Sequence, residues 1–144
     1  MDDDENYRFD ISGFIVLSGV LSPGEVAACN EAIDQMLGGG DDLPPTAGAC
    51  DSLLQLRDRP VLAGYAESLC GAGFRLDTGP VLLGAGGKGD GRLNGGGEWR
   101  DWSRAYFHRN GVRHCQGLMA VWALCDVGSG DGGLVMIPAS HNSE

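Results

Sequence analysis

The spacing of apolar side chains changes along this chain, from a helical period in the first half to short continuous runs in the second. The opening Met1-Asp2-Asp3-Asp4-Glu5 begins a polar stretch, and residues 1–12 are expected to form a disordered acidic lead to a domain covering 13–144. Phe14-Ile15-Val16-Leu17-Ser18-Gly19-Val20, rich in β-branched residues and introduced by Gly13, reads as a strand. Ser22-Pro23-Gly24-Glu25 has the form of a capping box. The serine hydroxyl accepts from the backbone three residues on, the glutamate reaches back, and proline sits where no intrahelical N–H is needed. Val26, Cys29, Ile33, Met36 and Leu37 then recur at helical spacing, and Gly38-Gly39-Gly40 ends the helix. After a loop at 41–45 that contains Pro44-Pro45, a second helical region spans about 52–70. Its main part starts near Asp58 with Pro60 in the first turn; Val61, Leu62, Tyr65 and Leu69 form its stripe, and Gly71 its stop.

From Phe74 onward glycine breaks the chain into short segments. Phe74-Arg75-Leu76-Asp77 and Val81-Leu82-Leu83 are expected strands, and residues 84–97, with eight glycines, a long loop. Leu118-Met119-Ala120-Val121-Trp122-Ala123-Leu124-Cys125 is the strongest strand signal, an apolar run suited to a central strand covered on both faces. A turn over Gly128-Ser129-Gly130-Asp131-Gly132-Gly133 joins it to Leu134-Val135-Met136-Ile137-Pro138. Helices first and antiparallel strands later predict an α+β architecture of jelly-roll type.

Composition narrows the function. The 144 residues suit one domain, and the formal charge of −10 comes without a Lys/Arg stripe able to track a phosphate backbone, so nucleic acid is not an expected partner. No apolar run reaches the roughly 20 residues of a membrane span, and the acidic start is the opposite of a signal peptide's basic region. A cytoplasmic location is expected. Five scattered cysteines (Cys29, Cys50, Cys70, Cys115, Cys125) contain no C-x-x-C and read as small buried hydrophobes rather than a disulfide framework. Residues 1–72 hold 13 acidic against 3 basic side chains and residues 73–144 hold 7 of each, which places the expected chemistry in the second half.

Few motifs there carry chemistry. Gly84-Ala85-Gly86-Gly87-Lys88-Gly89 fails as a P-loop, because Leu82 stands where a glycine is needed and Gly89 where a Ser/Thr is needed. His108-Arg109-Asn110 resembles a His-x-Asp metal pair, whose spacing on an extended segment points both side chains to one side; here the carboxylate is replaced by an amide. His114-Cys115 alone does not make a zinc site. His141 reads as a turn-stabilising residue, and Ser140-His141 lacks the strand-to-helix elbow of a hydrolase.

Taken together, several segments resemble the phytanoyl-CoA dioxygenase family of Fe(II)/2-oxoglutarate oxygenases. Gly13-Phe14-Ile15-Val16-Leu17 through Leu21-Ser22-Pro23-Gly24-Glu25-Val26 is similar to that family's opening strand and helix. Val121-Trp122-Ala123-Leu124-Cys125-Asp126-Val127, Gly130-Asp131-Gly132-Gly133 and Ile137-Pro138-Ala139-Ser140-His141 resemble its W-A-L-x-D-V, G-D-G-G and I-P-G-S-H signature, in the same order.

The resemblance implies a double-stranded β-helix (a cupin-like jelly roll) with N-terminal helices packed on one sheet, of which this chain would hold part. It implies Fe(II) and 2-oxoglutarate as cofactors and hydroxylation of a small or lipid-like organic substrate. His108 and Asn110 match the His-x-Asp metal pair, with the aspartate lost, and Trp122 matches a strand tryptophan beside the cosubstrate. Leu93-Asn94-Gly95-Gly96 resembles a Leu-His-Gly-Gly segment of one branch with its histidine replaced. Asn110 also brings to mind halogenase-type relatives, which lack the carboxylate, although its bulk argues against that reading. Family chains continue past the Ser-His turn to a distal histidine and an arginine that binds 2-oxoglutarate. A chain ending at Glu144 is therefore expected to be inactive by itself and to self-associate through exposed strand edges. The alternative expectation is a non-catalytic interaction or scaffold module derived from the same fold.

Overall fold

The computed structural model describes residues 1–38, 50–80, 105–131 and 133–142. The expected strand 81–83, the loops at 41–45 and 84–97, and the Leu93-Asn94-Gly95-Gly96 segment lie outside them. The described part combines helices with one small antiparallel sheet, in the order α1 (Asp3–Ser12), α2 (Pro23–Leu37), α3 (Asp51–Arg57), α4 (Pro60–Cys70), β1 (Tyr106–Arg109) and β2 (Val112–Cys115), followed by a 3-10 turn (Ser140–Asn142). No jelly roll is formed among the described residues. None of their helices is long and apolar enough to cross a membrane.

The acidic lead is a helix rather than a disordered segment, because Asp2 and Glu5 make a capping box of their own. Asp2 Oδ1 accepts from the Glu5 backbone N–H at 2.8 Å, and Glu5 returns the bond to the Asp2 N–H at 3.0 Å. Acidic residues in the first turn also complement the positive end of the helix dipole, and Arg8 reaches Asp4 one turn back at 2.9 Å. Gly13 closes α1 in a left-handed conformation.

The Ser22–Glu25 capping box forms as the spacing predicts and starts α2; Gly38, with φ 51°, ends it. The second helical region divides at Asp58-Arg59 into α3 and α4, with Pro60 opening α4 where its missing N–H costs nothing. Cys29 and Ile33 on α2 and Leu56 on α3 are buried, and Arg59 forms an ion pair with Glu25, tying the start of α4 to the start of α2.

A second apolar cluster forms around α1. Phe9, Leu69 and Cys115 are buried together, flanked by Met1, Ile15, Cys70 and Tyr106. Polar ties surround it: Tyr65 donates to Glu5, Tyr106 donates to Asp10, and the Arg113 guanidinium donates to Asn6 Oδ1 at 2.9 Å and to the Ser68 carbonyl at 2.8 Å. One short helix therefore receives side chains from α4, β1 and β2.

The sheet is smaller than the apolar runs predict. Segments 14–20, 74–77, 118–125 and 134–138 carry no ladder among the described residues. Many of their side chains stand in solvent, with Val16 77% and Val135 75% exposed. β-propensity describes a side chain's fit to a pleated, half-buried surface, and without a partner strand it does not define a strand. Among the described residues, the 118–125 run is tied to α2 by a side-chain bond from Asn30 Nδ2 to the Leu124 carbonyl at 2.7 Å.

Candidate functional site

The side chains with most chemical potential converge on Asp10, at the C-terminal end of α1. Tyr106 and His108 alternate on β1 and so project to one face, the face that meets α1. The Tyr106 hydroxyl donates to Asp10 Oδ1, and His108 Nε2 lies 3.6 Å from Asp10 Oδ2. The carboxylate thus faces a phenol with one oxygen and an imidazole with the other. Burial, followed by the bond to Asp10, raises the Tyr106 phenol, so it remains a proton donor near neutrality.

His141 approaches from the far end of the chain. Its Nε2 is 3.0 Å from the Asp10 backbone carbonyl and 3.1 Å from Asn142 Nδ2. Asn142 Nδ2 donates to the same carbonyl at 3.1 Å. The His141 ring packs edge-on against Tyr106 with centroids 4.8 Å apart. Its Nδ1 is buried against Gly13 and has no hydrogen-bond partner among the described residues. A β-carbon at Gly13 would lie 2.8 Å from His141 Cγ and closer still to Nδ1, so the ring seats only because that residue is glycine.

The backbone explains how His141 arrives there. The Ser140 N–H donates to the Ile137 carbonyl at 3.2 Å, closing a turn with Pro138 second and Ala139 third, and Ala139 has φ 66°. Proline second and positive φ third are the features of a type II turn, whose third position favours glycine. The Ala139 N–H then donates to the Ser12 carbonyl at 3.1 Å, docking the turn on the end of α1. The ring of His141, read from the sequence as stabilising its turn, bonds to the end of α1.

The other residues singled out in the sequence are distributed differently. Asn110 is exposed and, with Gly111, forms the two-residue loop of the β1–β2 hairpin; their φ values of 55° and 75° are those of a type I′ turn. Asn-Gly is the favoured pair for that turn, so a hairpin requirement accounts for this asparagine. The signal was present in the sequence as Asn110-Gly111 between two short segments. Trp122 is half-buried in the unladdered 118–125 segment. Asp10, Tyr106 and Phe9 were not found by sequence reasoning, since nothing local links a helix-terminal aspartate to a tyrosine 96 residues away.

Among the described residues no group of three His, Cys, Asp or Glu side chains is arranged to hold a metal ion. His108 is accessible, its side chain 48% exposed, and is the member of the cluster best placed to meet a ligand from solvent. No protein-family model, curated protein or solved structure matches the chain.

Proposed function

We propose that this chain derives from an oxygenase of the phytanoyl-CoA dioxygenase type, whose activity would be Fe(II)- and 2-oxoglutarate-dependent oxidation of a small organic substrate. One observation carries the reading: Ala139, which stands where the family signature I-P-G-S-H has its glycine, adopts the left-handed conformation that a glycine position demands. A chance apolar match has no reason to reproduce that requirement at that residue.

In this reading the β-helix fold is the architecture to which the apolar runs 118–125 and 134–138 belong, and His108 is the first metal ligand. Asp10 Oδ2 stands 3.6 Å from Nε2 of its ring, so Nδ1 would be the nitrogen offered to a cation, with the carboxylate on the other nitrogen as is common around metal-bound histidines. Trp122 would lie beside the oxo-acid. Bound Fe(II) with 2-oxoglutarate would supply the oxidising power to attack an unactivated C–H bond. The described residues alone do not constitute that iron site: His108 and Asn110 provide two donors, and an amide is a poorer ligand than a carboxylate.

A specific observation favours a second reading, a non-catalytic interaction module. Apolar side chains at Met119, Val121, Val127, Leu134, Val135 and Ile137 are between 45% and 75% exposed, a distribution that suits a surface covered by another protein. Anaerobic titration of the full chain with Fe(II) and 2-oxoglutarate separates the two. The oxygenase reading expects the visible charge-transfer band of a chelated oxo-acid, lost in His108→Ala and strengthened in Asn110→Asp. A folded sample with no band in wild type or in Asn110→Asp rejects it and leaves the interaction module.

A further inference from the structure

Two thiols that the site does not use meet where α4 and β2 end. Cys70, the last residue of α4, and Cys115, the last of β2, have their sulfurs 4.0 Å apart although 45 residues separate them. Both are free thiols; Cys115 is buried in the α1 cluster and Cys70 is half-buried beside it. An open cleft lined by Ser68, Gly71, Arg113 and Gln116 reaches both cysteines from solvent. A disulfide needs its sulfurs about 2.05 Å apart, a further approach of about 2 Å for two side chains whose elements already pack together.

We propose that Cys70 and Cys115 form a reversible disulfide, a redox-responsive link between α4 and β2 whose oxidant is a small soluble disulfide of the glutathione class. The Cys70 thiol, the more accessible of the two, loses its proton to water and attacks one sulfur of the oxidant, releasing one thiolate and leaving a mixed disulfide. Cys115 then loses its proton and attacks the Cys70 sulfur, releasing the second thiolate. Two protein thiols are oxidised, one external disulfide is reduced to two thiols, and the released thiolates take up the two protons.

Two structural facts support this pairing. The sulfurs come together only when α4 and β2 are both docked, so the link belongs to the folded chain. Arg113, on β2, also lines the cleft and bonds to Asn6 and Ser68, placing a fixed cation where an anionic disulfide would enter. Burial, then the adjacent Cys115, pushes the Cys70 thiol up to about 11. The attacking thiolate is therefore scarce at neutral pH, and the rate should rise about tenfold per pH unit in the neutral range.

The test uses the full chain, reduced and then incubated with oxidised glutathione at pH 7 and pH 8, with free thiols alkylated before mass mapping. The expected product has lost two hydrogens, carries a Cys70–Cys115 cross-linked peptide, forms about tenfold faster at the higher pH, and reverts with dithiothreitol. In Cys115→Ser the reaction should stop at a mixed disulfide on Cys70; in Cys70→Ser the link should be absent. The wild-type map stands even where a variant fails to fold. A stable mixed disulfide on Cys70 in the wild type, or an internal link confined to Cys29, Cys50 or Cys125, overturns the proposal.

Discussion

Replacing Ala139 by glycine should stabilise this protein, although in most exposed positions the same change does the reverse. A left-handed backbone costs a non-glycine residue roughly 1–2 kcal/mol, from the approach of its β-carbon to the following carbonyl. Ala139 bears that cost at φ 66°, and its methyl group is exposed, so removing it forfeits no packing. Against the gain stands the greater freedom of glycine in the unfolded chain, worth about 0.4–1 kcal/mol. At the middle of both ranges the balance is a stabilisation of about 0.8 kcal/mol, or a rise in Tm of roughly 2–4 °C for a domain of this size. Thermal unfolding followed by circular dichroism reads the global effect. Amide exchange at residue 139, whose N–H donates to Ser12, reads the local one and should slow. Ala139→Val, with a branched β-carbon at the same φ, should move both readouts the opposite way. A Tm in Ala139→Gly equal to or below wild type, with faster exchange at residue 139, would refute the turn assignment and remove the observation on which the family reading rests.

Three further outcomes follow from other features. Gly13→Ala places a methyl group against the His141 ring at a left-handed backbone position and should cost about 2 kcal/mol or more; His141→Ala in the same chain should recover part of that loss, as a double-mutant cycle of Tm values would show. Asn110→Ala should destabilise the hairpin by about 1 kcal/mol in chemical denaturation, whereas Asn110→Gly and Asn110→Asp keep a residue suited to positive φ and should lie within about half that of wild type. Glu25 is held down to about 2 by the backbone N–H and hydroxyl of Ser22 and by Arg59, against 4.5 as its ordinary value. Its folded form therefore binds protons less readily than its unfolded form, so its stabilising contribution is complete above about pH 4.5 and is lost as the pH falls toward 2. Glu25→Gln should flatten the fall in Tm across that window and leave the neutral-to-alkaline profile unchanged.

How far the fold could be read in advance depended on whether the deciding interactions were local. The capping box of α2, the proline that opens α4 and the glycines that close both helices act within four residues, and each stands where the spacing predicts. The same logic was available for α1 in Asp2 and Glu5, but a run of acidic residues reads as solvated and conceals a cap. Asn110, read from the sequence as a substituted metal ligand, stands in a turn whose chemistry asks for asparagine, a second signal that Asn110-Gly111 carries. Runs such as 118–125 have strand composition throughout, yet a ladder needs a partner, and pairing is not encoded in the run itself. The Asp10 cluster was the least accessible, because it joins a helix end, a strand and a turn from three distant segments.

That reach has a consequence for how the chain is made. α1 is made before the elements that follow it, and His141 and Asn142, which bind its Asp10 carbonyl, follow 131 and 132 residues later. At ordinary rates of synthesis the interval is on the order of 10 s, long compared with the time in which a helix or hairpin forms. For that period Phe9 and the Asp10 backbone carbonyl wait without the His141 ring and the turn that meet them, while α2, α3 and α4 can already assemble. A helix made early is thus completed late, and α1 is where a chaperone or a protease would find the growing chain open.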